Sequence, residues 1–130
     1  MTSEKVVQHI IKELKKLNFI VHRYDAKSTS SIYLKLDYGV CCGIRISDHN
    51  GKKKYHYRFN VFKDYKGDRI IVRDNLISYF YTFNEIPQLL VRVLEEKQMK
   101  IKKYGIDKYE RIMRLESEEN SLFKRFDRVV

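Results

Sequence analysis

The chain opens on a helical rhythm. Between residues 4 and 17 the apolar positions are Val6, Val7, Ile10, Ile11, Leu14 and Leu17, the three- and four-residue spacing that lines one face of an α-helix. Thr2 or Ser3 stands where an N-cap hydroxyl would accept from the first free backbone amides. Lys5, Lys12, Glu13, Lys15 and Lys16 fall on the opposite side and read as a solvated face. The pattern predicts a helix over residues 1–17.

After Asn18 the period changes to two. Runs of β-branched and aromatic residues at 19–24, 32–38, 40–47, 55–62 and 68–72 predict five strands, with turn-like breaks at 25–30, 38–39, 49–52 and 65–68. Asn50-Gly51 favours a tight hairpin. Residues 19–72 are therefore expected to make one meandering, mostly antiparallel sheet. In its fourth run His56, Arg58 and Asn60 would share one face, and Tyr55, Tyr57, Phe59 and Val61 the other. In its third, Arg45 and Ser47 would oppose Ile44, Ile46 and Asp48.

Helical spacing returns with Ile86, Leu89, Leu90, Val93 and Leu94. Pro87, the only proline, suits the first turn of a helix over 84–104. Gly105 ends it, and Asp107 can cap a third helix over 107–126 carrying Tyr109, Ile112, Met113, Leu122, Phe123 and Phe126. That helix would pack on the domain or join two copies in a homodimer. A leading helix, a five-stranded sheet and two C-terminal helices in 130 residues describe one α+β domain, since a second core would need more chain.

Charge changes what such a domain is expected to meet. Lys and Arg number 27 against 17 Asp and Glu, a formal +10, and the isoelectric point of about 9.6 is that of a chain attracted to polyanions. No stretch approaches the ~20 apolar residues of a membrane-spanning helix, and the N-terminus lacks the order of a secretory signal. A cytoplasmic protein is the expectation. Cys41 and Cys42 are adjacent, which strains a bond between them, and no Cys/His grouping completes a zinc site. Both are read as reduced residues packed in a strand, with no metal and no cofactor implied.

The positive charge is uneven. From Arg45 to Arg73 there are nine basic residues against four acids, Asp74 included, so half of the net charge sits in one hairpin region. Arg45, Lys52, Lys53, Lys54, Arg58, Lys63, Lys66 and Arg69 could follow a phosphate backbone, and Tyr55 and Tyr57 could stack on unpaired bases. The bland alternative is that turn lysines keep the protein soluble while tyrosines fill half-buried strand positions. Beside this region lies the densest polar chemistry: Ser31 and Tyr33 in one strand, and Arg45, Ser47, Asp48 and His49 at the end of another. Arg45 offers a bidentate fork for phosphate, Ser47 a hydroxyl, and His49 a group that titrates near neutrality. A metal-dependent nuclease would need Asp25, Asp37 and Asp48 to converge, and Asp48 with His49 equally suits plain turn chemistry.

The order Ser31-x-Tyr33, Ile44-Arg45-Ile46-Ser47-Asp48-His49, Lys54-Tyr55-His56 and Arg69-Ile70-Ile71-Val72 resembles the folded part of a phage-encoded anti-CRISPR family that inhibits type II RNA-guided nucleases. The resemblance covers residues 28–100, with Arg-Leu-Ser-Asn-His in the family standing against residues 45–49 here. Strands like residues 44–49 also look familiar from small proteins of phages and mobile elements. This chain departs in its leading amphipathic helix, where the family has a basic arm, in a longer gap before Arg45, and in its third helix. The resemblance implies a non-enzymatic counter-defence inhibitor that engages a CRISPR effector nuclease or its guide RNA, in the host cytoplasm. Two other readings stay open: a stand-alone RNA- or DNA-binding module, and a protein that sequesters a small nucleotide through Arg45, Arg58 and His49, with a tyrosine or Phe83 against the base.

Overall fold

Val6, Val7, Ile10, Ile11 and Leu14 bury the inner face of helix α1, Ser3–Lys16, while Lys12, Lys15 and Lys16 stay exposed. The helix ends where Asn18 takes a left-handed φ of 64°, a conformation Asn tolerates better than most residues. In the computed structural model the described residues are 3–27, 31–47, 56–67, 69–119 and 126–130. Thr2, the hairpin turn at 49–52, and the expected helical positions Leu122 and Phe123 lie outside them.

Six strands follow: β1 Val21–Asp25, β2 Ser31–Leu36, β3 Gly43–Ser47, β4 Tyr57–Lys66, β5 Arg69–Tyr81 and β6 Asp127–Arg128. They pair antiparallel throughout in the order β5-β4-β3-β2-β1-β6. The α+β class and the meander match the alternation in the sequence. Three details differ. Strand β5 runs on to Tyr81, because β4 and β5 pair along their whole length past an irregularity between Val61 and Lys63. Cys41 and Cys42 are buried and unbridged as expected, yet they lie in a turn before β3, with Cys42 at φ 62°. The third helix, α3, is described over Ile106–Glu119, and Phe126 is not helical but leads into β6, whose backbone pairs with His22 and Arg23.

Helix α2, Ile86–Tyr104, begins behind a short turn in which Thr82 and Glu85 cap one another, satisfying amides a helix start leaves open. Its Ile86, Leu89 and Val93 join α1 against Val21, Leu34, Leu36, Ile44, Ile46, Phe59 and Val61 in one apolar cluster. Both helices thus cover the same face of the sheet. After Gly105, helix α3, Ile106–Glu119, turns away to pack Tyr109 and Ile112 on Val40 and Tyr65 at the sheet's end. No described helix joins the opposite face.

A polar spine locks α2 and α3 to the turn between β2 and β3. Asp37, fully buried with φ 50°, accepts from the Ile20 amide at 2.9 Å and the Tyr109 hydroxyl at 2.6 Å, and pairs with Lys97 at 2.9 Å. Lys100, also buried, donates to the Val40 carbonyl at 2.7 Å and faces Glu96 at 3.5 Å. Lys63 and the Tyr65 hydroxyl reach Glu116 of α3 at 3.9 and 3.2 Å.

Candidate nucleic-acid interface

Residues directly opposite one another in an antiparallel ladder point to the same face. The register sets Tyr24 beside Tyr33, Tyr33 beside Arg45, Arg45 beside Arg58, and Arg58 beside Phe80. One continuous row therefore crosses five strands on the face that lacks a helix. A second row parallel to it holds His22, Lys35, Gly43, Asn60 and Ser78. The split of Arg58 and Asn60 from Tyr57, Phe59 and Val61 is as the alternation predicts.

Within the row the contacts are aromatic and cationic. The rings of Tyr24 and Tyr33 lie 6.2 Å apart, and the Arg45 guanidinium stands 5.8 Å from the Tyr33 ring centre. Arg45 also donates to the hydroxyl of buried Ser31 at 3.3 and 3.4 Å. Phe126, arriving with β6, packs 5.3 Å from Tyr24 and carries the Lys35 ammonium 4.8 Å above its ring. Among the described residues no carboxylate pairs with Arg45 or Arg58. The Nε of Arg58, the hydroxyl of Ser47 and Nε2 of His56 are buried without a hydrogen-bond partner among the described residues.

Two arginines side by side across a ladder repel, at a cost of roughly 0.2–1 kcal/mol. Burial first, and then Arg45, hold the Arg58 guanidinium below its ordinary pKa. Burial, reinforced by Lys63, does the same to Lys35. His22 is likewise kept below its usual range by burial, then Arg128 and Lys35, so it stays neutral at pH 7. The face is a concentrated positive field, and an anion seated on it would relieve each of these strains.

Between the two rows the sheet opens into a cavity of about 300 Å³, bordered by Tyr33, Lys35, Arg45, Asn60, Phe62 and Phe126 with Gly43 beneath. A side chain's first carbon at Gly43 would sit 2.8 Å from the Leu34 carbonyl oxygen. Glycine is thus what lets β3 lie this close to β2 while leaving the cavity unfilled.

Several sequence expectations move. Tyr57 is 5% exposed and belongs to the core cluster, so it cannot stack on a base; its parity in β4 puts it under α1 and α2. Lys63 is buried and directed toward Glu116, yet it also borders this cavity, with its ammonium 5.7 Å from the Phe62 ring. Lys66 and Arg69 are exposed where β4 turns into β5, but at ~3.3 Å per residue that lies about 26 Å along β4 from Arg58. Asp25 pairs opposite Ile32 while Asp37 follows the far end of β2, so these carboxylates do not converge. Asp48, His49, Lys52, Lys53, Lys54 and Tyr55 lie outside the described residues. Ser47, which precedes them in the chain, donates its amide to the His56 carbonyl at 2.9 Å. Tyr24, Lys35, Asn60, Phe80 and Phe126 were not anticipated, although Tyr33 and Lys35 alternate with Leu34 and Leu36 as plainly as the residues of β3 do.

Comparison with protein-family models, with curated proteins and with solved structures gives no match. Among the described residues no helix is long and apolar enough to cross a membrane, and no group of three or more His, Cys, Asp or Glu could hold a metal ion.

Proposed function

We propose that this chain binds single-stranded nucleic acid on the open face of its sheet, and does so as a phage or mobile-element inhibitor of an RNA-guided nuclease. The observation that carries the binding half is the row Tyr24-Tyr33-Arg45-Arg58-Phe80. Its rings offer surfaces on which unpaired bases stack, and its arginines lack acidic partners among the described residues and so remain available to phosphate. A sheet face that carries aromatic rings beside cations can serve as a platform for single strands. The net charge of +10 adds long-range attraction that salt screens. The inhibitory half is supported by the resemblance of residues 28–100 to anti-CRISPR proteins. The guide RNA of a nuclease, or the DNA strand it displaces, supplies the single strand this face would hold.

The deciding experiment is a cleavage assay with a type II nuclease and its guide RNA, run beside a pull-down with and without that RNA. Cleavage should fall as the chain is added, and the double variant Arg45→Ala/Arg58→Ala should restore it. Retention of neither nuclease nor RNA at physiological salt would sink the proposal. Retention of RNA without any effect on cleavage would leave a stand-alone RNA-binding module.

A further inference from the structure

Resting on that reading, we infer that the cavity above Gly43 receives one unstacked base of the bound strand, with the adjoining phosphate held by Arg45 and Arg58. Its volume of about 300 Å³ lies at the lower end of ligand pockets, roughly 300–1,000 Å³, which suits one nucleotide unit and not an extended molecule. Its walls are of the kinds a nucleotide requires. Phe62, Phe126 and Tyr33 supply ring surface, and Phe62 is 38% exposed although apolar, a position that a stacked base would cover.

Asn60 supplies the polar edge. Its carbonyl oxygen accepts from the Ser78 hydroxyl at 2.8 Å, which fixes the amide plane and turns the NH₂ group away from Ser78 as a donor for a base edge. Phosphate recognition falls to the neighbouring row. Arg45 is steadied by Ser31 at 3.3 Å, and the buried Arg58 Nε has no partner. A buried donor left open is costly, by the desolvation of the group itself, and a phosphate oxygen would satisfy it with a charge-assisted bond. Lys35, in the second row, brings a further cation to the cavity's wall.

The test separates base from backbone. Affinity is measured for a short single strand, for an abasic strand of equal length and charge, and for free nucleoside monophosphates, using the intact chain. The normal strand should bind at least about fivefold tighter than the abasic one, the lower bound for stacking one base. Phe62→Ala and, independently, Phe126→Ala should shrink that ratio by about the contribution of one stacked base. Arg45→Ala should weaken both strands alike. A ratio that neither Phe62→Ala nor Phe126→Ala changes would overturn the base pocket and leave the proposed function standing, with stacking confined to the ring row. Tight binding of a free monophosphate with no binding of strands would overturn both in favour of a nucleotide receptor. Binding of none of the three ligands would also overturn both.

Discussion

The basic residues of this protein fall into two regions that treat charge in opposite ways. Along α2, α3 and the turn before β3, the cations that face the domain are partnered: Lys97 with Asp37, Lys100 with Glu96, Lys63 with Glu116, Lys103 with Asp64. On the open sheet face Arg45 and Arg58 stand opposite one another, and no described carboxylate reaches either. Even Arg23, beside Tyr24 in β1 but pointing the other way, is held by Glu4 at 2.6 Å and Asp25 at 2.8 Å. A formal charge of +10 therefore says little about where a polyanion binds. What locates the interface is the subset of cations the fold leaves unneutralised. The first region uses its charge to hold helices in place, and the second keeps its charge open at some cost in stability.

Breaking the paired region should have the largest effect. Asp37→Ala removes the acceptor of the Tyr109 hydroxyl and of the Ile20 amide and leaves Lys97 the Asn18 carbonyl at 2.6 Å, and breaking a buried pair by removing one partner costs about 3–5 kcal/mol. A drop of that size in urea-unfolding free energy is expected, and a loss under about 1 kcal/mol would mean that the spine is not holding α3. Glu116→Ala removes the shared partner of Lys63 and Tyr65. Burial, then Glu116, pushes the Tyr65 phenol well above its ordinary pKa, so the phenol stays a donor and loses its acceptor in the variant. About 1–3 kcal/mol should be lost. Asp37→Ala should not alter affinity for a single strand beyond what unfolding explains.

The division between the two regions was half visible in the sequence. Alternation in β3 and β4 placed Arg45 and Ser47 together and set Arg58 and Asn60 opposite Tyr57 and Phe59, because a period of two follows from the geometry of a strand. Register did not follow, since it depends on which turn joins which strands. Nothing local says that Tyr24, Tyr33, Arg45 and Arg58 line up in one row. Nor could composition distinguish Lys63 from Lys66: one is buried against Glu116, a residue 53 positions away in sequence, and the other is exposed. Phe126 was assigned to a helix on helical spacing, where pairing of β6 with the edge of β1 prevailed. Tertiary contacts of this kind override local pattern.

A smaller effect separates a neutralised arginine from the open ones. Arg23 holds the Glu4 carboxyl down to about 2, with a lesser contribution from Gln8. A carboxylate whose folded pKa is depressed stabilises above its unfolded value and loses that contribution as pH falls through the folded one. For Glu4 the window runs from about 4.5 down to about 2. Its side chain is 57% exposed, so solvent screening limits the gain to under about 1 kcal/mol. Glu4→Gln should lower stability by that amount at pH 7, and the difference from the parent should shrink towards zero as pH falls through about 2. A difference that persists unchanged at pH 2 would assign it to packing of α1 and not to the ion pair.

The smallest stability change is expected where the sign reverses. Arg58→Leu removes one of two like charges opposed across β3 and β4 together with a buried donor that has no partner. Relief of that repulsion is worth roughly 0.2–1 kcal/mol, so the free protein should become slightly more stable, read as a higher urea midpoint with an unchanged slope. Affinity for a single strand should fall in the same variant, with the salt dependence flattened by about 0.7 for the one phosphate that Arg58 no longer neutralises. Stability and binding would then move in opposite directions at a single residue, which is what a cation kept for a ligand does and a cation kept for the fold does not. A clear loss of stability in Arg58→Leu would place Arg58 with Lys97 and Lys100 among the charges that hold the molecule together.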